Sequence, residues 1–427
     1  MKVTVIGLGY IGLPTAAMLA LNGNVVQGYD ASPTVRDGLR SDAGYIADQE
    51  VRVLTQRAIS SGNFLISNRL EAAEAYIICV PTPNAADGRP NLSYVQSASY
   101  DVARLLKPDD LVILESTVPP GTTERIVGTA VRERGLSLDD IHLAHCPERV
   151  TPGAIVTELR RNSRIIGGRR PEDGEAARSL YASFVESNIY VTDSRTAELV
   201  KVIENTFRDV NIALANELAL LCEELGVDAR EAIRLANKHP RVDILNPGPG
   251  VGGHCIPIDP SFLADAHPFL TELIQTARRV NARMPNHVVR RIHELVPIPP
   301  YGRKIALLGA SYKANVDDSR ESPTQKIDEL LREQGYETAV FDPVASGFVR
   351  TLASSLEDAL HDADAVVLIV DHDVFSTIKP EVAGEYMRGR ILVDARGFFD
   401  ASTWQAGGFQ VYTLGSPRVM GTLATHA

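Results

Sequence analysis

A chain of 427 residues is too long for one ordinary core, and typical domains of about 150 residues predict two or three of them. The formal charge of −11, with its basic residues scattered, argues against nucleic acid or an anionic membrane as the main partner. The start MKVTVIGLGYIG has no secretory leader pattern, and no apolar run reaches the roughly 20 residues that span a bilayer, so a cytoplasmic protein is expected.

Through roughly the first 185 residues, short β-rich runs alternate with helical ones. KVTVIGLG, VVQGYD, AYIICV, LVILES and IHLAHC read as strands, and a helix is expected from about Pro14 to Asn22. This alternation predicts a parallel sheet with helices on both faces. Between Arg195 and Leu295 the strand signals almost vanish. There SRTAELVKVIENTFRDVNIALANELALLCEELG and TELIQTARRVNARMPNHVVRRIHEL read as long helices, separated by the turn-rich HPRVDILNPGPGVGGHCIPIDP. At Lys304 the alternation restarts with KIALLGAS, TAVFDP, AVVLIVDH and RILVDARG; Ser322 before Pro323 starts a helix and Gly335 stops it. The fold class is therefore α/β. An N-terminal Rossmann-type, doubly wound parallel sheet is expected over 1–190, an all-helical central domain over 191–298, and a C-terminal Rossmann-like α/β domain over 299–427.

Gly7-Leu-Gly9-Tyr10-Ile11-Gly12 follows the first strand and opens a helix, the context a dinucleotide fingerprint requires. Gly7 permits the tight turn, Gly9 allows pyrophosphate to approach, and Gly12 lets helix and strand pack; the first helical amides then bind phosphate. Asp30 ends the next strand, where a carboxylate accepts from the adenosine ribose and repels a 2′-phosphate, so NAD is favoured over NADP. Thr82 in VPTP and Thr117 in ESTVPPG fall at carboxyl edges of strands, where open α/β sheets bind ligands.

Cys79, Cys146, Cys222 and Cys255 form no CxxC pair, so neither a zinc ribbon nor a disulfide framework is expected. Cys79 and Cys222 sit in apolar runs and read as small buried groups. Cys255 lies in a glycine-rich loop whose backbone can approach a ligand closely, four residues before Asp259: a nucleophile with a nearby base, or an incidental thiol in a structural loop. His145-Cys146 and His254-Cys255 are adjacent pairs, and adjacent residues rarely fit one tetrahedral site, so no metal is expected. On the first central helix Lys201, Asn205 and Arg208 share one polar stripe, which a solvated face would also explain. Leu199, Ile203, Phe207, Val210 and Leu214 lie opposite, on the expected core side.

The segments GLGYIGLPTAA, VPTP, ILEST, CPERVTPG, SRTAELVKVIENTFRDVNIALANELALLCEELG, RLANKHPRVDILNPGPGVGGHCIPIDP and YKANVDDSRESP resemble the UDP-sugar 6-dehydrogenases of the UDP-glucose/UDP-mannose dehydrogenase family. The resemblance runs through all three domains. Lys201 with Asn205, followed later by Gly-Gly-His254-Cys255 and Asp259, carries its specificity. His254, Ile256 and Ile258 resemble the N-acetylhexosamine branch rather than the glucose branch.

That resemblance implies a four-electron, NAD-dependent oxidation of a sugar C6 alcohol to a carboxylate without release of the aldehyde. UDP-N-acetyl-D-mannosamine is the expected substrate, with UDP-GlcNAc and UDP-glucose as alternatives. Cys255 becomes the nucleophile, forming a thiohemiacetal and then a thioester. Lys201, or a water held by Asp259, takes the first proton, and Asn205 with Lys201 stabilises the alkoxide. Glu148 is implied as general base toward the hydrolytic water, which Thr117 helps position; a salt bridge to Arg149 is the structural alternative for Glu148. Arg149, Val150, Lys201, Asn205, Arg208, His239, Arg241, Gly252, Tyr312, Lys313 and Arg396 are implied for substrate, and Arg320 for NAD. The central domain is implied to form a homodimer in which His239 and Arg241 reach the neighbour's site. The competing readings are a one-step dehydrogenase with no cysteine chemistry and a non-catalytic nucleotide-sugar binding protein.

Overall fold

The structure is a computed structural model that describes residues 1–41, 48–85, 89–151, 153–296, 299–345 and 347–417. The chain gathers into two compact units, Met1–Asn205 with Ser261–His267, and Thr206–Pro260 with Pro268–Ala427. No helix among the described residues is long and apolar enough to cross a membrane.

The first unit is built on eight strands: β1 (Lys2–Ile6), β2 (Val25–Tyr29), β3 (Phe64–Ser67), β4 (Ala75–Ile78), β5 (Leu111–Leu114), β6 (His142–His145), β7 (Arg164–Gly168) and β8 (Ile189–Asp193). Their order across the sheet is β3-β2-β1-β4-β5-β6-β7-β8. Successive residues of each central strand enter different cores: Ala75 and Ile77 join Val3, Val5 and Ile113 on one face. Tyr76 and Ile78 join Ile6, Val112 and Leu114 on the other. A strand buried on both faces has no polar side, which is why these runs read as continuously apolar, and each fully buried Ile or Leu contributes about 1.5–3 kcal/mol.

Two features of this sheet differ from expectation. Strands β3, β7 and β8 carry weak, short signals and add to the five read from sequence. The sheet is also not wholly parallel: β7 runs antiparallel to β6, pairing Ala144 with Gly168 and His145 with Gly167, and β8 follows β7. Apolar patterning reports burial but not strand direction, so the reversal left no trace in the pattern.

The second unit holds five strands, β9 (Lys304–Leu308), β10 (Glu337–Phe341), β11 (Ala365–Leu368), β12 (Ile391–Asp394) and β13 (Gln410–Thr413), in the order β10-β9-β11-β12-β13. Every pairing among them is parallel. The helix Glu272–Leu295 feeds its C-terminal half into this sheet's core, with Val288, Val289 and Ile292 packed among Ile305, Leu307 and Ile327. The helix Pro323–Glu333 starts at Ser322, whose hydroxyl accepts from the Thr324 amide, and ends near Gly335 at φ +93°.

The helix Ser194–Leu225 corrects an expectation about its faces. Ile203, Phe207 and Leu214, expected in the core, are 49%, 65% and 49% exposed. The inward face instead carries small and polar residues: Ala197, Val202, Asp209, Ala213, Asn216 and Glu223. Each of these polar side chains finds a partner within the second unit. Asp209 accepts from Arg278 (2.6 Å) and Asn281 (2.8 Å), Asn216 donates to Asn281 (2.9 Å), and Glu223 pairs with Arg291 (2.6 Å). Buried polar residues are stable where such partners exist, and the helix Glu272–Leu295 provides them.

Candidate active site

The first turn after β1 is shaped for a dinucleotide. Gly7 adopts φ +91°, and a Cβ there would stand 2.5 Å from the Cys79 carbonyl oxygen; a Cβ on Gly12 would overlap the Gly7 carbonyl. At Gly9 a Cβ would meet nothing within 4 Å, so the backbone there lies open. Open backbone at the middle glycine, ahead of the helix Gly12–Leu21, is the space a pyrophosphate needs. Asp30 accepts from the Leu8 and Ser32 amides, both at 2.9 Å, with its second lone pairs available to a ribose hydroxyl. Tyr10 is exposed and Ile11 half-buried beside this turn. Thr82 donates to the Thr117 carbonyl at 2.8 Å, joining the ends of β4 and β5. The residues of this edge fit NAD.

Behind the same edge lies a charged cluster that the sequence reading missed. Arg164, 4% exposed, binds Glu115 at 3.0 Å and Glu148 at 3.1 Å. Cys79 donates its thiol to Glu115 at 3.1 Å, and Arg164 also lies 3.6 Å from the Cys146 sulfur. Glu148 accepts from the Arg149 amide, but its ion-pair partner is Arg164, not the Arg149 side chain. Arg149 pairs with Glu204 (2.6 Å) and donates to the Ser163 carbonyl (2.6 Å), with Val150 half-buried beside it. A glutamate inside the apolar run LVILES was the available signal for this cluster, since a buried charge needs a partner.

Glu198 ties the loop after β5 to the helix that carries Lys201 and Asn205. It accepts from the Thr123 amide (2.7 Å) and hydroxyl (2.6 Å) and from the Gly121 amide. Lys201 and Asn205 are both half-buried one and two turns further on. Arg208 is exposed.

In the second unit the Cys255 loop is held from its start. Asn211 binds the backbone at Asp243 and Leu245, and Asn216 accepts from the Gly248 amide at 2.8 Å. Gly252 and Gly253 lie under Tyr312: a Cβ on Gly253 would stand 2.9 Å from that ring, and the Gly253 amide donates to the Arg320 carbonyl. Cys255 Sγ sits 2.9 Å from His254 Nδ1, and His254 Nε2 lies 3.7 Å from Asp318. The Asp259 amide donates to the Cys255 carbonyl at 2.8 Å, and Asp259, buried, opens the helix Asp259–Ala266. The His254 ring thus stands within hydrogen-bond distance of the thiol, and the backbone of Asp259 closes the turn.

Arg320, expected at NAD, and the remaining substrate candidates occupy varied positions. The Arg320 guanidinium forms a two-pronged pair with Asp318 (2.9 and 2.6 Å). Arg396 pairs with Asp371 at 3.0 Å and flanks Gly248, where a Cβ would meet its guanidinium at 2.6 Å. Lys313, His239 and Arg241 are exposed, with the Arg241 amide donating to His239 Nδ1. No group of three or more His, Cys, Asp or Glu among the described residues could hold a metal ion.

Comparison with known proteins gives these features a family. Models of the UDP-glucose/GDP-mannose dehydrogenase family match the chain three times: the NAD binding domain at residues 1–185, the central domain at 195–283 and the UDP binding domain at 306–401. A UDP-N-acetyl-D-mannosamine dehydrogenase of Methanococcus maripaludis is 44% identical over 423 residues, covering 97% of each chain. The structure of the UDP-D-ManNAc dehydrogenase from Pyrococcus horikoshii matches with a TM-score of 0.91 at 42% identity, over 97% of this chain and 99% of that one. A UDP-N-acetyl-mannosamine dehydrogenase from S. aureus matches with a TM-score of 0.88 at 38% identity, over 97% and 99%. With a dinucleotide turn that fits NAD, a buried Glu148 and a thiol held in a glycine loop, this chain belongs to the UDP-glucose/GDP-mannose dehydrogenase family and is an NAD-dependent nucleotide-sugar dehydrogenase.

Proposed function

We propose that the chain oxidises the C6 alcohol of UDP-N-acetyl-D-mannosamine to the carboxylate, with Cys255 carrying the sugar between the two oxidations. The observation that carries this reading is the 2.9 Å approach of His254 Nδ1 to the Cys255 sulfur in a loop held at both ends. Relatives named for the N-acetylmannosamine substrate support the choice of sugar. NAD, when bound, accepts a hydride at each of the two oxidations.

Lys201, or a water held by Asp259, takes the C6 hydroxyl proton, while the Asn205 amide and the Lys201 ammonium stabilise the oxygen as it gains charge. His254 accepts the Cys255 proton, and the thiolate adds to the aldehyde carbon, giving a thiohemiacetal on sulfur. Loss of its hydroxyl proton, taken by the same base as in the first oxidation, and of its second hydride leaves a thioester. Glu148 removes a proton from water, Thr117 helping to place it; hydroxide attacks the thioester carbon, the C–S bond breaks, and carboxylate and thiol are released.

The diphosphate and sugar are assigned to Arg149, Val150, Arg208, His239, Arg241, Gly252, Tyr312, Lys313 and Arg396, and Arg320 to NAD. The domain division that fits these roles is NAD-binding over 1–190, central helical over 191–298, and UDP-binding over 299–427. Residues 297–298, at the second boundary, lie outside the described residues. A cytoplasmic homodimer completes the reading. Exposed Ile203, Phe207, Leu214, Leu221 and Leu225 along one helix form the apolar surface that the central-domain interface would cover.

Cys255→Ala tests the assignment: wild type should release two NADH per UDP-sugar, and the variant should form no uronate. Carboxylate at the normal rate and stoichiometry from that variant would falsify it. Side-by-side turnover of UDP-ManNAc, UDP-GlcNAc and UDP-glucose tests the sugar, with the first expected fastest.

A further inference from the structure

The buried cluster under the carboxyl edge of the first sheet holds one cation and two carboxylates. Glu115 follows β5, Cys146 and Glu148 follow β6, Cys79 follows β4, and Arg164 opens β7. Because β7 runs antiparallel to β6, its first residue lies at the same edge as the residues that follow β6, so the guanidinium reaches both Glu115 (3.0 Å) and Glu148 (3.1 Å). Tyr181 lies against the guanidinium, 4.7 Å from ring centre to Cζ, and Phe184 flanks it at 5.8 Å, so neither supplies a charge. His145, also buried, is pushed down to about 3 by desolvation and stays neutral.

With both carboxylates ionised the cluster carries one uncompensated negative charge, which burial penalises. Glu115 is the more deeply enclosed of the two, 1% exposed against 8% for Glu148. Burial pushes its carboxyl up to about 7, against the pull of Arg164 and with the repulsion of Glu148.

We propose that Glu115 is a positioning residue for the hydrolytic step: sharing Arg164 with Glu148, it holds the guanidinium against the base, and its own charge decides how firmly Arg164 grips that base. This rests on Glu148 acting toward the hydrolytic water. When Glu115 is protonated, the whole Arg164 charge falls on Glu148, whose lone pair is then least available to water. When Glu115 is ionised, Arg164 divides its attraction and Glu148 accepts the proton more readily.

The test follows the Cys255 thioester in acid-quenched enzyme during turnover of UDP-ManNAc with NAD, reading its decay by peptide mass at a series of pH values. Wild-type decay should rise as pH passes about 7. Glu115→Gln keeps the shape and an acceptor for Arg164 but cannot ionise. It should lose the rise and decay about three- to tenfold more slowly near pH 8, with the KM values for both substrates unchanged. A wild-type profile in a folded Glu115→Gln variant overturns the proposal. If that variant melts early, Glu115→Asp carries the same test: the shorter carboxylate still ionises but no longer spans both Arg164 and Cys79, so the rise must move along the pH axis, and an unmoved rise overturns the proposal. Glu148→Gln separates the two levels. A stalled thioester there, with an unaltered Glu115→Gln profile, removes only the role of Glu115. Wild-type decay in Glu148→Gln removes the base and, with it, the proposal.

Discussion

The two sheets begin alike and diverge within a few residues. Each has a positive-φ glycine after its first strand, Gly7 at +91° and Gly309 at +96°, and each has an aspartate after the next strand that takes amides of that turn. Asp30 receives two backbone amides, those of Leu8 and Ser32. Asp342 receives the amides of Ala310, Ser311, Val344 and Ala345, the Ser311 hydroxyl and His372 Nε2 at 3.0 Å. One aspartate keeps acceptor capacity for a ligand; the other spends its capacity on the protein. The same local device thus leaves acceptor capacity open in one sheet and ties down loops in the other.

Breaking the first turn should have the largest effect. Gly12→Ala drives a Cβ into the Gly7 carbonyl, and relief requires moving strand or helix, at about 3 kcal/mol or more. The expected outcome is a lowered melting temperature and no measurable NAD binding by calorimetry. Asp342→Asn should come next and strike the other property. It should lose about 2–3 kcal/mol of stability in urea titrations while leaving NAD affinity within twofold, because the lost bonds are internal to the second unit. Burial opposes ionisation of Asp342, but the His372 bond and the backbone amides prevail and hold its carboxyl well below the usual range. A carboxyl with a depressed folded value stabilises fully above its unfolded value, about 4, and loses that contribution as pH falls further. The wild-type advantage over Asp342→Asn should therefore shrink below about pH 4. Asp30→Asn should be the mildest to the fold, with stability changed by about 1 kcal/mol or less and NAD affinity reduced about tenfold. Equal stability losses at Asp30 and Asp342 would dissolve the distinction.

Much of the scaffold was legible because the relevant forces are local. The buried strands announce themselves as apolar runs, Gly7 and Gly12 occupy places no other residue fits, and Ser322 and Gly335 bracket their helix as capping chemistry requires. What escaped depends on partners distant in sequence. Asp209, Asn216 and Glu223 face inward because Arg278, Asn281 and Arg291 meet them, so the apolar stripe Ile203, Phe207 and Leu214 is left outside, and periodicity alone assigns the faces the other way round. At the candidate site, motif position located Cys255 and Glu148. It did not supply Arg164 or Glu115, whose importance lies in an ion pair between residues 49 apart in the chain.

The reversed strand β7 shows how chain polarity can act as an electrostatic choice. Had β7 run parallel to its neighbour, its opening residue would lie at the amino end of the sheet. That is roughly 16 Å, five residues of extended backbone, from where ligands gather. Direction alone thus decides whether a fixed positive charge meets Glu115 and Glu148 or merely decorates the far rim. A duplication or redesign that straightened this sheet into a uniform parallel array would preserve every side chain and still strip Glu148 of its counter-ion.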